Sequence, residues 1–257
     1  MIDTHCHLTY DGLHERIDDV LAAAAAAGVD RMVSVGTSPN DAGKAVALAE
    51  RYSNVYATAG LHPHYAGNVT DHAALGESLR QYLEHPRVVA LGEMGLDRHY
   101  PDPPMAEQRA AFATQLELFN ESPDVPGIVH NREATDDTLA MLKDHGVDAS
   151  RLVFHCFTGT PAEAERILAT GAWVSFTGIV TFNSAKQVAE ASDLVPLDRL
   201  MIETDSPYLT PAPHRKVRPN EPRYVVQVAE FLARRRGMNL DDFVAAVDAN
   251  AERFFGW

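Results

Sequence analysis

The sequence of 257 residues contains only two cysteines. It also lacks any apolar run close to the roughly 20 residues that a membrane span requires. So few cysteines exclude a disulfide-rich secreted scaffold, and we expect Cys6 and Cys156 to be buried free thiols in a reducing compartment. The start of the chain has neither the basic segment nor the cleavage pattern of a secretory signal. These absences predict a cytoplasmic protein without a membrane anchor.

Positive charge is also scarce, because 22 lysine and arginine residues stand against 36 acidic residues and leave a net charge of −14. This balance excludes a broad basic surface that binds phosphates through counterion release. It does not exclude a polyanionic substrate, since bound divalent cations would dominate the local field of a site. We therefore expect any nucleic-acid binding to be local and dependent on metal.

Short apolar runs alternate with amphipathic stretches along the chain. The runs predicted to be strands span residues 2–7, 31–36, 55–61, 88–95, 127–130, 152–157, 173–177 and 200–205. Helices are predicted over residues 13–27, 39–51, 107–120, 135–145, 161–170, 184–191, 224–236 and 240–255. Strands separated by helices predict a parallel sheet, and eight of them predict a (β/α)8 TIM barrel of the α/β class, a single domain over residues 1–257. The active site of such a barrel lies at the C-terminal ends of its strands.

Side chains able to bind a metal stand at the ends of five predicted strands. They are His5, His7, Glu93, His130, His155 and Asp205. Because side chains alternate along a strand, His5 and His7 should point to one face and Cys6 to the other. Histidine nitrogens and carboxylate oxygens suit zinc, manganese or magnesium, and the residues alone do not choose among these ions.

Six candidate ligands exceed what one ion needs, so we expect two ions that share a carboxylate bridge. Glu93 is the natural bridge, because Gly92 and Gly95 leave room beside it. Two such ions lower the pKa of a water molecule, hold a phosphoryl or carbonyl oxygen and stabilise the leaving oxygen. Asp205 is the expected acceptor of the proton from that water.

Six sequence blocks resemble, in order, the signature motifs of the TatD family, metal-dependent deoxyribonucleases with an amidohydrolase-type barrel. The blocks are Asp3-Thr4-His5-Cys6-His7-Leu8, Gly60-Leu61-His62-Pro63-His64, Gly92-Glu93-Met94-Gly95-Leu96-Asp97, Val129-His130-Asn131-Arg132, His155-Cys156-Phe157-Thr158-Gly159 and Glu203-Thr204-Asp205-Ser206-Pro207-Tyr208-Leu209, with Asn220-Glu221-Pro222 after a long loop. Two departures are Thr9, where the family commonly has an acidic residue, and the segment 119–127, which is unusually polar and irregular.

The resemblance implies two divalent metals bound by the six ligands named above, with Glu93 shared. It also implies hydrolysis of phosphodiester bonds in DNA, mostly from a 3′ end. The substrate would then be DNA as a single strand or with frayed ends, and no membrane or obligate protein partner is indicated.

His62 and His64 are candidate substrate contacts at another strand end. They would either contact the scissile phosphate or its attacking water, or form the pocket wall and hydrogen-bond to a ligand. Asp97 follows Glu93 by four residues on the same side of the strand, so we expect it to orient a ligand histidine.

Arg132 and Glu203 are the other two candidate substrate contacts. Arg132 could clamp a phosphate through its fork of donors, or form a salt bridge with Glu133, Asp136 or another acid of the loop. Glu203 could orient water, hold a third and weaker ion, or be a buried structural acid.

The loop over residues 206–222 contains a small basic patch formed by His214, Arg215, Lys216 and Arg218. The patch either guides a single strand toward the metals or is a solvated loop surface. Tyr208 is a candidate stacking surface for a base.

Three functions compete for this site. The first is a metal-dependent 3′–5′ exonuclease acting on DNA, in which two metals activate a water and Asp205 is the general base. The second is an amidase or deacylase of the same barrel class. Many such enzymes bridge their metals with a modified lysine, whereas the fourth strand here has Glu93 and the four lysines are expected on the surface. The third, a non-enzymatic binding protein, has no need for six metal ligands around one mouth.

Overall fold

Eight parallel strands pair in chain order in the computed structural model, which describes residues 1–257. They are β1 (Ile2–Cys6), β2 (Arg31–Ser34), β3 (Val55–Ala59), β4 (Val88–Asp97), β5 (Gly127–Arg132), β6 (Leu152–Phe154), β7 (Trp173–Phe176) and β8 (Leu200–Ile202). The chain beyond β8 returns to β1, where the Asp205 amide donates to the His5 carbonyl over 2.9 Å and the His7 amide donates to the Ser206 carbonyl over 2.7 Å. The predicted TIM barrel is confirmed.

Nine helices alternate with the strands and follow the last one. They are α1 (Ile17–Ala26), α2 (Pro39–Arg51), α3 (His72–Leu83), α4 (Met105–Glu121), α5 (Thr135–Asp144), α6 (Pro161–Leu168), α7 (Lys186–Leu194), α8 (Val225–Arg235) and α9 (Leu240–Phe255). The bounds of α2 and α9 are those predicted, whereas α3 was missed because only Leu75 and Leu79 of it are buried. None of the nine helices combines the length and apolar character of a membrane crossing.

The apolar core has two parts. The larger part lies between the sheet and the helices and includes Cys6, Leu91 and Met94. The smaller part fills the barrel at the end where the strands begin, and it joins side chains from the strands to the last turn of α9. Its members are Ile2, Val33, Val35, Ala90, Ile128, Val153, Trp173, Met201, Ala251, Phe254 and Phe255. We call these eleven residues the plug. Because the plug fills one end of the barrel, only the opposite end, at the C-termini of the strands, is left for a site.

The inward side chains of three strands alternate without interruption. Ile128 of β5 belongs to the plug, and His130 and Arg132 follow it on the same face. Val153 in β6 and Met201 in β8 likewise precede His155 and Glu203 by two residues. Strands β6 and β8 end earlier than predicted, so His155 lies directly beyond β6 and Asp205 lies three residues beyond β8.

The irregular segment before β5 is held by a single side chain. Helix α4 ends at Glu121, and the Arg151 guanidinium then donates to the carbonyls of Ser122 over 3.0 Å and Val125 over 2.9 Å. These bonds satisfy backbone acceptors that have no place in a helix or strand. The polar segment is therefore an ordered connection that leads from α4 into β5, and β5 pairs with β4.

Candidate metal centre

Glu93 lies at the centre of the predicted ligands. Its Oε1 is 2.7 Å from Nε2 of His155 and 2.8 Å from Nδ1 of His130, and its Oε2 is 3.4 Å from Nε2 of His5. The two carboxylate oxygens thus face different histidines. A carboxylate that bridges two cations presents its oxygens in this way.

The remaining predicted ligands, His7 and Asp205, lie with His5 on the side of the cluster that Oε2 of Glu93 faces. Oδ1 of Asp205 lies 3.2 Å from Nε2 of His7 and 3.7 Å from Nε2 of His5. The structure therefore brings all six predicted ligands together. One group contains His5, His7 and Asp205, the other contains His130 and His155, and Glu93 stands between them.

Several imidazole nitrogens of this cluster are buried without a hydrogen-bond partner. They are both ring nitrogens of His5, Nδ1 of His7 and Nδ1 of His155. A buried polar group left unpaired costs about 1–3 kcal/mol, and native proteins keep few of them without a reason. Of these nitrogens, Nε2 of His5 faces Oε2 of Glu93 over 3.4 Å, and a divalent cation bound there would satisfy it, so the residues fit the implied metals.

The electrostatics of the centre also favour a bound cation. Burial would lower the pKa of His155, but the carboxylates of Glu93 and Glu203 raise it well above its ordinary value. Burial would raise the pKa of Glu93, but facing His155 and His62 hold it well below its usual range. Positive charge beside Glu93 keeps this buried carboxylate ionised, and divalent ions bound there would supply the same charge.

Close approach of β4 and β5 is what joins Glu93 to His130. Gly95 has φ +145°, and a Cβ atom there would lie 2.0 Å from the His130 carbonyl oxygen. Only glycine fits, so the two strands pair directly beside the centre. The register of β4 also shifts between Leu91 and Met94, which turns Glu93 inward.

Asp97 supports a ligand from behind. Its Oδ2 lies 2.9 Å from Nε2 of His130 and 3.1 Å from Nε2 of His64. Its Oδ1 accepts from the amides of His99 and Tyr100 at 2.9 and 3.2 Å. A carboxylate in this position holds the ring of His130 with Nδ1 toward Glu93, as the sequence predicted for a partner of a ligand histidine.

His62 lies beside the metal centre itself. Its Nε2 is 3.4 Å from Oε1 of Glu93 and 3.2 Å from Nδ1 of His130. Burial lowers the pKa of His62 to about 4 against the attraction of Glu93. A neutral imidazole here can bind a metal or accept a proton. Both His62 and His64 line the cavity, and His64 also contacts Asp97.

Glu203 lies behind His155 and is 1% exposed. Its Oε1 accepts from the Cys156 amide at 2.6 Å and is 3.4 Å from Nδ1 of His155, and its Oε2 accepts from the Ser175 hydroxyl at 2.6 Å. Of the four predicted substrate contacts, it is the one that does not line the cavity. This geometry suits a carboxylate that orients His155.

The centre opens into a cavity of about 1150 Å³ in which Arg132 is the only lysine or arginine. Arg132 forms no ion pair, because Glu133 contacts His99 at 2.8 Å and Asp136 contacts Arg166 at 2.6 Å. The alternative of a salt bridge to either acid is therefore wrong. The Arg132 guanidinium lies free in the cavity wall.

The basic patch of the 206–222 loop does not line the cavity. Arg218 donates to the Thr210 hydroxyl at 3.1 Å and the Val217 carbonyl at 2.7 Å, and the Arg215 guanidinium lies 3.8 Å from the Phe182 ring centre. These contacts stabilise the loop itself. Tyr208 of the same loop does line the cavity.

Tyr10, Tyr65 and Tyr100 also line the cavity and were missed by the sequence analysis. A signal for them existed, because each follows a strand-end histidine or carboxylate by three residues. Such a tyrosine lies in the first turn after the strand, on the face where the site forms.

Comparison with known proteins agrees with this geometry. The family model described as TatD related DNase matches residues 2–256. The uncharacterized metal-dependent hydrolase YcfH of Escherichia coli K12 is 39% identical over 99% of this chain and 95% of its own length. The 3′-5′ ssDNA/RNA exonuclease TatD of Cronobacter sakazakii is 38% identical over 99% and 97%. The crystal structure of YJJV, a TatD homologue from E. coli K12, covers 100% of this chain and 98% of its own with 31% identity and a TM-score of 0.92.

Proposed function

This chain belongs to the TatD family of metal-dependent hydrolases, and from that premise we propose that it is a deoxyribonuclease that removes nucleotides from the 3′ end of single-stranded or frayed DNA. Its similarity to a named exonuclease and to a relative named only as a hydrolase is nearly equal, at 38% and 39% identity. The names of these relatives do not decide the substrate, so the residues of the cavity must indicate it. Residues 1–257 form one catalytic unit in this proposal.

The observation that carries the proposal is the free guanidinium of Arg132 in the same cavity as the six ligands. An arginine presents parallel donors that match two oxygens of a phosphate. A neutral amide or lactone has no anionic group to pair with it. An unpaired cation beside a metal-ligand cluster therefore supports a phosphodiester substrate.

His5, His7 and Asp205 would hold one divalent ion and His130 and His155 a second, with Glu93 shared. The ligand atoms suit zinc, manganese or magnesium alike. When bound, such ions supply Lewis acidity that stabilises hydroxide at neutral pH and the charge on a phosphate.

Asp205 is the proposed general base. Its side chain is 15% exposed toward the cavity, whereas that of Glu93 is 3% exposed. Water can reach Asp205, while Glu93 is enclosed by histidines. Burial would raise the pKa of Asp205, but its contacts with His7 lower it, so the carboxylate is ionised and ready to accept a proton.

The other cavity residues would position the substrate. Arg132 binds a non-bridging phosphate oxygen, and His62 and His64 stabilise the charge that grows as the attacking oxygen approaches phosphorus. Glu203 acts through His155, which it orients, rather than by touching the substrate.

The amidase or deacylase alternative has less support. A bridging lysine would have to line the cavity, yet Lys44, Lys143, Lys186 and Lys216 are all exposed and none lies there. Glu93, inside β4, stands at the centre instead.

A hydrolysis assay tests the proposal. Chelated protein would be incubated with a 5′-labelled single-stranded DNA oligonucleotide and with Mg²⁺, Mn²⁺ or Zn²⁺, with Asp205→Asn as the inactive control. Stepwise shortening from the 3′ end that depends on metal and is absent in the control is the expected result. Turnover of a neutral amide or lactone, with no cleavage of the oligonucleotide under any metal, would reject the nuclease.

A further inference from the structure

Four tyrosines surround the metal centre in the same local position. Tyr10, Tyr65, Tyr100 and Tyr208 follow His7, His62, Asp97 and Asp205, each by three residues. Three of the turns are closed by a backbone bond from the tyrosine amide to the carbonyl of the site residue, at 3.1 Å for Tyr10, 2.9 Å for Tyr65 and 3.0 Å for Tyr208. In the fourth, the Tyr100 amide donates to Oδ1 of Asp97 at 3.2 Å. The backbone of each tyrosine is thus fixed next to a site residue.

The exposure of these rings is unusual for this chain. Only five large apolar or aromatic side chains are exposed, and Tyr65, Tyr100 and Tyr208 are three of them, at 39%, 47% and 51%. All three line the rim of the one large cavity. Exposed aromatic side chains gathered at a cavity mouth indicate a binding surface rather than scattered surface residues.

The tyrosines divide between two sides of the centre. Tyr208 lies beside Tyr10 with ring centres 6.3 Å apart, and Tyr10 stacks on His7 at 4.7 Å. On the other side, Tyr100 contacts His64 edge-on at 5.0 Å and lies under the Arg132 guanidinium at 5.3 Å. One aromatic surface therefore flanks the His7 and Asp205 side of the centre, and the second flanks the His130 and Asp97 side.

The first surface is rigidly supported. The Tyr10 hydroxyl lies 3.0 Å from the Thr37 hydroxyl, which donates to Oδ2 of Asp41 at 3.1 Å. Thr9, the departure from the family pattern, donates to Oδ1 of the same Asp41 at 2.7 Å. Buried Asp41 thus fixes the Tyr10 ring behind Tyr208.

We propose that Tyr208, supported by Tyr10, and Tyr100, together with Arg132, are two stacking platforms that hold the unpaired bases on either side of the scissile phosphate. This inference rests on the proposed nuclease function and narrows its substrate to strands with at least two unpaired nucleotides at the cleaved end. A base inside a duplex has both faces covered by its neighbours and cannot stack on either ring.

The negative charge of the chain favours stacking over electrostatic attraction as the source of affinity for DNA. The chain has a net charge of −14, and one arginine lines the cavity, so attraction to the phosphate backbone is weak. Stacking supplies affinity that tolerates any sequence, because every base has a π face. The two surfaces lie on opposite sides of the centre, which places a phosphate between two stacked bases.

The test pairs each tyrosine with the base it would hold. Tyr208→Leu and Tyr100→Leu are compared with the parent protein on three single strands: a natural one, one with an abasic terminal nucleotide and one with an abasic penultimate nucleotide. Tyr52→Leu is the matched control, because Tyr52 ends α2 just before β3 starts, at the far end of the barrel. Dissociation constants are measured in the Asp205→Asn background, and KM and kcat in the active one.

Each platform variant is expected to raise Kd and KM for the natural strand about five- to tenfold, with little change in kcat. The same variant should have no effect on the strand that lacks the base held by that platform, and a blunt duplex should be a poor substrate until its end is made single-stranded. Equal losses on natural and abasic strands, or no loss, would overturn the inference while leaving hydrolysis intact. If the parent protein hydrolyses no strand, the proposed function fails, and the binding measurements still decide whether the tyrosines stack on bases.

Discussion

The carboxylate of Asp97 lies 2.9 Å from Nε2 of His130, and the other ring nitrogen of His130 lies 2.8 Å from Glu93. Asp97 is fully buried, so this contact is shielded from solvent. A carboxylate that accepts from a ligand histidine fixes the tautomer and increases the basicity of the other nitrogen. Through His130, Asp97 thereby acts on Glu93, the proposed bridge between the two metals.

Asp97→Asn is expected to weaken binding of one of the two metals about 10- to 100-fold, because the amide cannot hold the His130 ring as an acceptor of the same strength. Metal titration of the chelated protein would measure this, with Asp102→Asn as a control on the cavity rim. Unchanged affinity at both sites would show that Asp97 does not act through His130.

Glu93→Gln is expected to abolish hydrolysis and lower the bound metal from two ions per chain to one or none, because an amide cannot bridge two cations. Elemental analysis after dialysis gives the stoichiometry. Glu84→Gln, an exposed glutamate at the end of α3, is the matched control. Two ions retained in the Glu93 variant would remove its bridging role.

Arg132→Ala is expected to raise KM for single-stranded DNA about tenfold and to flatten its dependence on salt. One cation in the cavity predicts a slope of log affinity against log salt of only about −0.7 per phosphate neutralised by a side chain. Arg51→Ala, which removes an exposed arginine paired with Asp18 at the end of α2, should change neither quantity. A steep slope in the parent protein would point to a basic surface outside the cavity.

Gly95→Ala is expected to lower the free energy of unfolding of the metal-free protein by about 2–4 kcal/mol, because the added Cβ would clash with the His130 carbonyl. Gly146→Ala is the control, since Gly146 also has positive φ (+62°) but nothing lies within 4 Å of the added Cβ. That variant should lose only about 1–2 kcal/mol from backbone strain. Chemical denaturation of both variants compares the two costs, and equal losses would show that β4 and β5 can move apart.

The candidate ligands were predictable because they lie within regular strands or shortly after them. In β5 and β6, an inward apolar residue precedes the ligand by two positions, as Ile128 precedes His130 and Val153 precedes His155. Alternation of this kind is a property of the strand alone. Helix α3 was missed, and it packs only two side chains, Leu75 and Leu79, into the core.

From the sequence alone, we could predict the eight strands, the end of the barrel at which the site forms, and the candidate nitrogen and carboxylate ligands. The inward orientation of both Ala90 and Glu93, three residues apart, depends on the fold, because the register of β4 shifts against its neighbour. The tertiary structure also decided that Arg132 is free, because its neighbouring acids pair with His99 and Arg166. These features depend on contacts between residues far apart in the chain, and local periodicity does not encode such contacts.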